Sequence, residues 1–167
     1  MGLDIFKGRA DVELMHRLEL DPDLYEDYED GGYQIAEDTD AQVFRSGYGV
    51  FSLWRNSLTV AAGLSKMGEY GPERIVMDWD EYEPKNLLGE WDEGTEPDDP
   101  LFLLIVHSDC DGYLLNKYLT PIADRLTDLL PHLPEETAYP TYMYERTERF
   151  IAAARSAAEE GYDLLFL

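Results

Sequence analysis

Apolar positions in this chain fall in short runs, separated by acidic stretches broken by glycine and proline. Two periodicities alternate between those breaks. Met1 to Phe6, MGLDIF, reads as an opening strand in which Asp4 is the one charge. From Val12 to Leu20 the positions Val12, Leu14, His16, Leu18 and Leu20 alternate with Glu13, Met15, Arg17 and Glu19, which predicts a strand with one wet face. His16 lies on the apolar parity and reads as a structural histidine. Tyr33 to Ala36, Ala41 to Phe44 and Ile75 to Trp79 read as further short strands. A helix is expected from about Val50 to Lys66, with Phe51, Trp54, Leu58, Ala61, Ala62 and Ser65 on one face. Leu53, Val60, Leu64 and Met67 widen that apolar stripe. Leu101 to Val106, LFLLIV, begins after Pro100 and reads as a buried strand. Thr120-Pro121 then supplies an N-cap and a first-turn proline for a helix with Ile122, Leu126, Leu129 and Leu130 inward. The last helix, about Thr141 to Glu160, turns Met143, Phe150, Ile151, Ala154 and Ala158 inward and sets Glu145 and Arg149 outward as an i,i+4 pair. Gly161 stops it, and Tyr162 to Leu167 reads as a closing strand. The pattern predicts one α+β domain over residues 1–167, a mixed sheet of about five or six strands covered by about three helices.

Composition supports that reading and adds one unusual fact. The 167 residues are 44% apolar and 13% aromatic, enough for a real core in a single domain. No apolar run approaches the roughly 20 residues of a membrane-spanning helix. The N-terminus has no basic region followed by an apolar stretch, so no secretory signal is expected. Cys110 is the single cysteine, which matches a reducing compartment; the expected location is cytoplasmic. Against 36 acids stand 13 Lys plus Arg, a formal charge of −23. Such a surface repels nucleic acid and anionic membranes, and leaves a basic protein partner, cations or plain solubility as its uses. The charge is also clustered. Residues 19–40 and 78–99 carry ten acids each, 20 of the 36, with Lys85 their one basic residue. Both stretches read as acidic loops.

The candidate chemistry gathers after LFLLIV, where His107, Ser108, Asp109, Cys110, Asp111 and Gly112 form a polar knot. Asp109 and Asp111, with Asp4 from a neighbouring strand, could offer oxygen ligands to a divalent cation. A zinc site needs about four ligands in closed geometry, more than His107 and Cys110 supply. Two flanking acids oppose a reactive thiolate at Cys110. A Ser-His-Asp triad within one turn cannot bring its side chains into line. The plain alternative is a tight turn in which an aspartate bonds backbone amides and Gly112 takes a positive φ. A second candidate is Arg45-Ser46-Gly47-Tyr48 at the start of the helix expected over 50–66, where free amides and a positive dipole suit an anion. If the two turns face one another, Arg45, Ser46, Tyr48, Arg55, His107, Asp109 and Asp111 would line a pocket for a zwitterionic or anionic ligand. No organic cofactor is expected.

Three blocks carry a resemblance: MGLDI at the start, FRSGYGVFSLWRN at Phe44 to Asn56, and FLLIVHSDCDG at Phe102 to Gly112. They resemble recurring blocks of small phage and bacterial proteins that open with MGLD and carry FR-x-GSYSGYN-x-WR-like and F-SDCEG-like segments. The chain departs from those at Gly49 and Val50, and has Asp111 in place of a glutamate. The resemblance implies a phage or mobile-element origin and groups Asp4, Arg45, Ser46, Tyr48, Trp54, Arg55, Asp109, Asp111 and Gly112. It attaches no activity to them. Taken together, the residues point to an acidic, cytoplasmic, non-enzymatic binding protein with a pocket for a small polar ligand or peptide. The alternatives are an acidic decoy that mimics nucleic acid and inhibits a basic host-defence protein, and a metal-dependent hydrolase.

Overall fold

The computed structural model describes residues 2–21, 31–37, 40–68, 71–72, 98–105, 107, 112–133 and 140–167. The expected strand at Ile75 to Trp79, most of both acidic loops, and residues 108–111 lie outside them. The fold is α+β, organised on β1 (Leu3–Ala10). One edge of β1 is shared end to end: its first half pairs with β3 (Gln42–Ser46) and its last residues pair with β2 (Tyr33–Ile35). The other edge pairs with the closing strand β7 (Asp163–Phe166), which pairs in turn with β6 (Gly112–Leu114). All these pairings are antiparallel and make a five-stranded sheet. A separate two-stranded ribbon, β4 (Met67–Gly68) with β5 (Gly71–Pro72), follows the first long helix.

Period-2 alternation in the strands sorts their side chains. Leu3, Ile5 and Lys7 of β1 face one way, with Phe44, Leu164 and Phe166 beside them. That face meets α2 (Tyr48–Ala61), α3 (Leu101–Ile105), α4 (Asn116–Leu129) and α5 (Pro140–Glu160) in the main core. At its centre lie Phe44, Phe51, Trp54, Phe150 and Phe166, with neighbouring ring centroids 5.1–6.0 Å apart in tilted or edge-on geometry. The indole Nε1 of Trp54 donates to Thr147 Oγ1 at 2.8 Å, so this buried ring keeps its one polar atom satisfied. The opposite face carries Phe6, Tyr113 and Leu165 and is covered by α1 (Val12–Leu20) through Met15.

Two segments expected as strands are helices. In α1, the Asp11 carboxylate accepts from Leu14 N at 2.9 Å, an N-cap that the alternation hid. Burial then follows helical spacing: Met15 and Leu18 are buried, whereas Leu20 is 74% exposed and His16 lies on the solvent side. At Leu101–Ile105 an unbroken apolar run suits a buried strand and a buried helix alike, and the cap decides. Asp99 accepts from Leu101 N at 3.0 Å, and Pro100 sits where a first turn tolerates it. Asp99 is itself gripped by Arg125 of α4, through Nε at 3.1 Å and Nη2 at 2.9 Å.

Helix α4 starts four residues before the expected Thr120 cap and carries Pro121 inside. Its start is fixed from a distance. Asp163 of β7 accepts Asn116 N at 2.8 Å, and Asn116 Nδ2 donates to Tyr162 O at 2.9 Å. The other Asp163 oxygen accepts Ala10 N at 3.0 Å, so one carboxylate joins the ends of β1 and β7 to the head of α4. No helix among the described residues is long and apolar enough to cross a membrane.

Candidate functional site

The residues singled out in the sequence divide between the two faces of the sheet. Asp4 and Arg45 are cross-strand partners on the face opposite Ile5, Phe44 and Phe166. Arg45 Nε lies 3.2 Å from Asp4 Oδ1, with the Arg45 side chain 73% exposed. The contact is an ion pair without hydrogen-bond alignment, since Asp4 Oδ1 is buried and accepts no hydrogen bond. An exposed pair of this kind contributes about 0–1 kcal/mol. Ser46 is buried, and its hydroxyl donates to Gly47 O at 3.0 Å rather than capping α2. Tyr48, the first residue of α2, packs half-buried against the main core.

Arg55 and His107 meet on the helix-covered face. Arg55 is buried, and its Nη1 donates to the carbonyls of Leu104 (3.4 Å), Ile105 (3.1 Å) and His107. A cation placed at the last carbonyls of α3 stabilises that helix end. The His107 ring stacks on Phe166 with centroids 3.9 Å apart, and its Nε2 lies 3.2 Å from Tyr113 O. Gly112 has φ +128, and a Cβ there would come within 2.9 Å of the His107 ring, so only glycine fits. Both ends of the knot are thus clamped, by Arg55 at His107 and by His107 at Tyr113. Asp109 and Asp111 lie outside the described residues. Among the described residues no three His, Cys, Asp or Glu side chains gather as a metal site.

A different cluster forms an open groove of about 620 Å³ between α5 and the edge of the sheet. Its floor is Lys7, on the same parity of β1 as Leu3 and Ile5 and only 4% exposed. Lys7 Nζ donates to Glu160 Oε2 at 2.7 Å and Oε1 at 3.0 Å. Ser156 Oγ adds a 2.8 Å bond to Glu160 Oε1. These two donors, Lys7 first, hold the Glu160 carboxyl below its ordinary pKa. The α5 wall is Arg149, Ala152, Ala153, Ser156 and Glu160, one stripe at helical spacing whose small side chains leave the space open. The β3 wall results from a register shift. Ile5 pairs with Phe44 but Phe6 pairs with Gln42, so Val43 is an extra residue, and both Gln42 and Val43 line the groove. Bulges of this kind re-aim side chains at strand edges and beside sites. Asp40 completes the rim.

One sequence signal for this groove lies outside any motif. Lys7 continues the inward parity of Leu3 and Ile5 one step past the expected end of the strand. Glu160, exposed at the end of α5, lies three residues after the buried Ala157. Arg149, expected to pair outward with Glu145, lines the groove instead, its guanidinium carbon 5.9 Å from the Phe44 ring centre.

The ion pair has a pH signature. A carboxyl whose folded pKa is depressed contributes stability that is complete at neutral pH and is lost as the pH falls through that folded pKa. The difference in Tm between wild type and Lys7→Met should therefore stay constant from neutral pH down to about pH 5 and shrink below about pH 4. A difference that varied across neutral pH instead would show that Glu160 is not the titrating partner.

Comparison with protein-family models, with curated proteins and with solved structures finds no match to this chain.

Proposed function

We propose that this protein is a non-enzymatic binding protein that takes a small polar ligand in the groove between α5 and the β1–β3 edge. The observation that supports this most is Lys7. A lysine ammonium 4% exposed is costly to bury unless it is paired, and here it lies at the base of an open groove rather than inside the apolar core. Its partner Glu160 keeps a side-chain exposure of 40%, so the pair is accessible from the groove. The lining offers both signs of charge, Lys7 and Arg149 against Asp40 and Glu160, together with the amide of Gln42 and the hydroxyl of Ser156. That mixture suits a ligand with hydrogen-bonding groups and charge. A screen of small polar compounds by thermal shift should yield one class that raises Tm through mass action. Lys7→Met should abolish the shift, while Arg45→Ala, on the other face of the sheet, should leave it intact. The reverse pattern would place the ligand at the Arg45 turn and end this reading.

A second reading rests on the clustering of 20 of the 36 acids in residues 19–40 and 78–99. Such surfaces suit a decoy for a basic, nucleic-acid-binding protein of a host. A decoy requires binding that weakens steeply with salt and is indifferent to Lys7→Met. Binding that tolerates high salt would remove it.

A further inference from the structure

Resting on the groove as the ligand site, we infer that its ligand carries an anionic oxygen group, a carboxylate or a phosphate, held by Arg149 in the groove with the charge of Arg146 beside it. Cations are scarce in this chain, 13 against 36 acids, and five of the eleven in described residues hold a carboxylate or a helix end. Lys7 pairs with Glu160, Arg45 with Asp4, Arg125 with Asp99, Arg155 with Asp124, and Arg55 holds the end of α3. Arg146 and Arg149 make no ion pair among the described residues. They are neighbours on α5 at i,i+3, and the fold sets both against one ring: their guanidinium carbons lie 5.5 and 5.9 Å from the centre of Phe44. Phe44 is 2% exposed, so the ring is a fixed platform rather than a mobile surface group.

Two like charges held this close repel. Burial, and then the charge of Arg149, lower the pKa of Arg146. Its Nε is buried with no hydrogen-bond partner among the described residues, a donor left without an acceptor. Glu145, one helical turn before Arg149, makes no ion pair with it. Among the described residues the pair has no carboxylate partner, and it lies beside the groove that Arg149 lines, with the Lys7 ammonium at its base. An oxyanion bound at the Arg149 guanidinium would offset the repulsion between the two charges, with a guanidinium fork suited to two oxygens.

The test uses the whole protein and NMR signals of the arginine Nε–H groups, with acetate and inorganic phosphate as probes and methylammonium as the cationic control. The expected result is a saturable shift of the Arg146 and Arg149 signals by acetate or phosphate, with affinity about tenfold or more weaker in Arg149→Gln. Whichever anion binds tighter identifies the source of the oxygens. Arg149 is exposed, so Arg149→Gln keeps the fold even where Arg146→Gln fails to. Arg155→Gln, elsewhere on α5, should leave the affinity unchanged. Equal loss in Arg155→Gln would reveal only general charge screening and overturn the inference. Groove signals moved by methylammonium but not by either anion would overturn it and keep the groove as a site. Failure of every probe to move any groove signal would overturn both.

Discussion

Arg55→Met should destabilise the protein by about 3 kcal/mol, read as a fall in the urea midpoint and a drop in Tm of about 6–12 °C. The side chain is buried and reaches three carbonyls, those of Leu104, Ile105 and His107, through one terminal nitrogen. That nitrogen has two protons for three acceptors, so the bonds are shared and their sum is smaller than three separate charged hydrogen bonds. Methionine matches much of the stem's volume but leaves the end of α3 without its donor and the segment entering the knot untethered. Arg55→Lys keeps the charge without the fork and should recover only part of the loss. A cost below about 1 kcal/mol would mean that water replaces the guanidinium freely, and that Arg55 does not organise the turn.

The second large effect belongs to Phe44. This ring is 2% exposed, lies 5.9 Å from Trp54 and 5.6 Å from Phe150, and carries Arg146 and Arg149 on its outer side. Phe44→Ala should cost about 3–5 kcal/mol, because the rigid sheet and α5 cannot close over the cavity. Phe44→Leu should cost less, about 1–2 kcal/mol, since most of the apolar contact survives. Both remove the π face, so both should weaken anion binding at the arginine pair, Phe44→Leu without unfolding the protein. Leucine at 44 with wild-type anion affinity would show that the ring does not place the two guanidinium groups.

Strand positions and long amphipathic stretches were legible in the sequence, because each rests on local periodicity. The strands at Leu3–Ala10, Tyr33–Ile35, Gln42–Ser46 and Asp163–Phe166 match alternation or short apolar runs. The last helix, ending at Gly161 with φ +77, matches its apolar stripe and stop signal. Segments decided by a single polar contact were not legible. Val12–Leu20 alternates as a strand does, yet Asp11 caps it as a helix. Leu101–Ile105 has no periodicity to read, and Asp99, held by Arg125, makes it helical. The start of α4 was hidden for another reason: its cap is Asp163, 47 residues downstream of Asn116.

The same division holds for the site. The knot at 107–112 and the Arg45 turn are legible because their chemistry-bearing residues are neighbours in sequence. Arg45 and Arg55, ten positions apart, point to opposite faces of the sheet. The groove is built by residues 153 positions apart, Lys7 and Glu160, each ordinary in its own segment. What marked Lys7 was the wrong polarity at an inward position, a charged residue where the strand period called for an apolar one.

The most direct test is backbone amide chemical-shift mapping of the wild-type protein, titrated with the compounds that raise its Tm. The expected result is a contiguous set of shifts at Gln42, Val43, Ala152, Ala153 and Ser156, absent in Lys7→Met. Shifts confined to Ser46, Gly47 and Tyr48, or no saturable shift along the groove, would contradict the assignment of this groove as the ligand site.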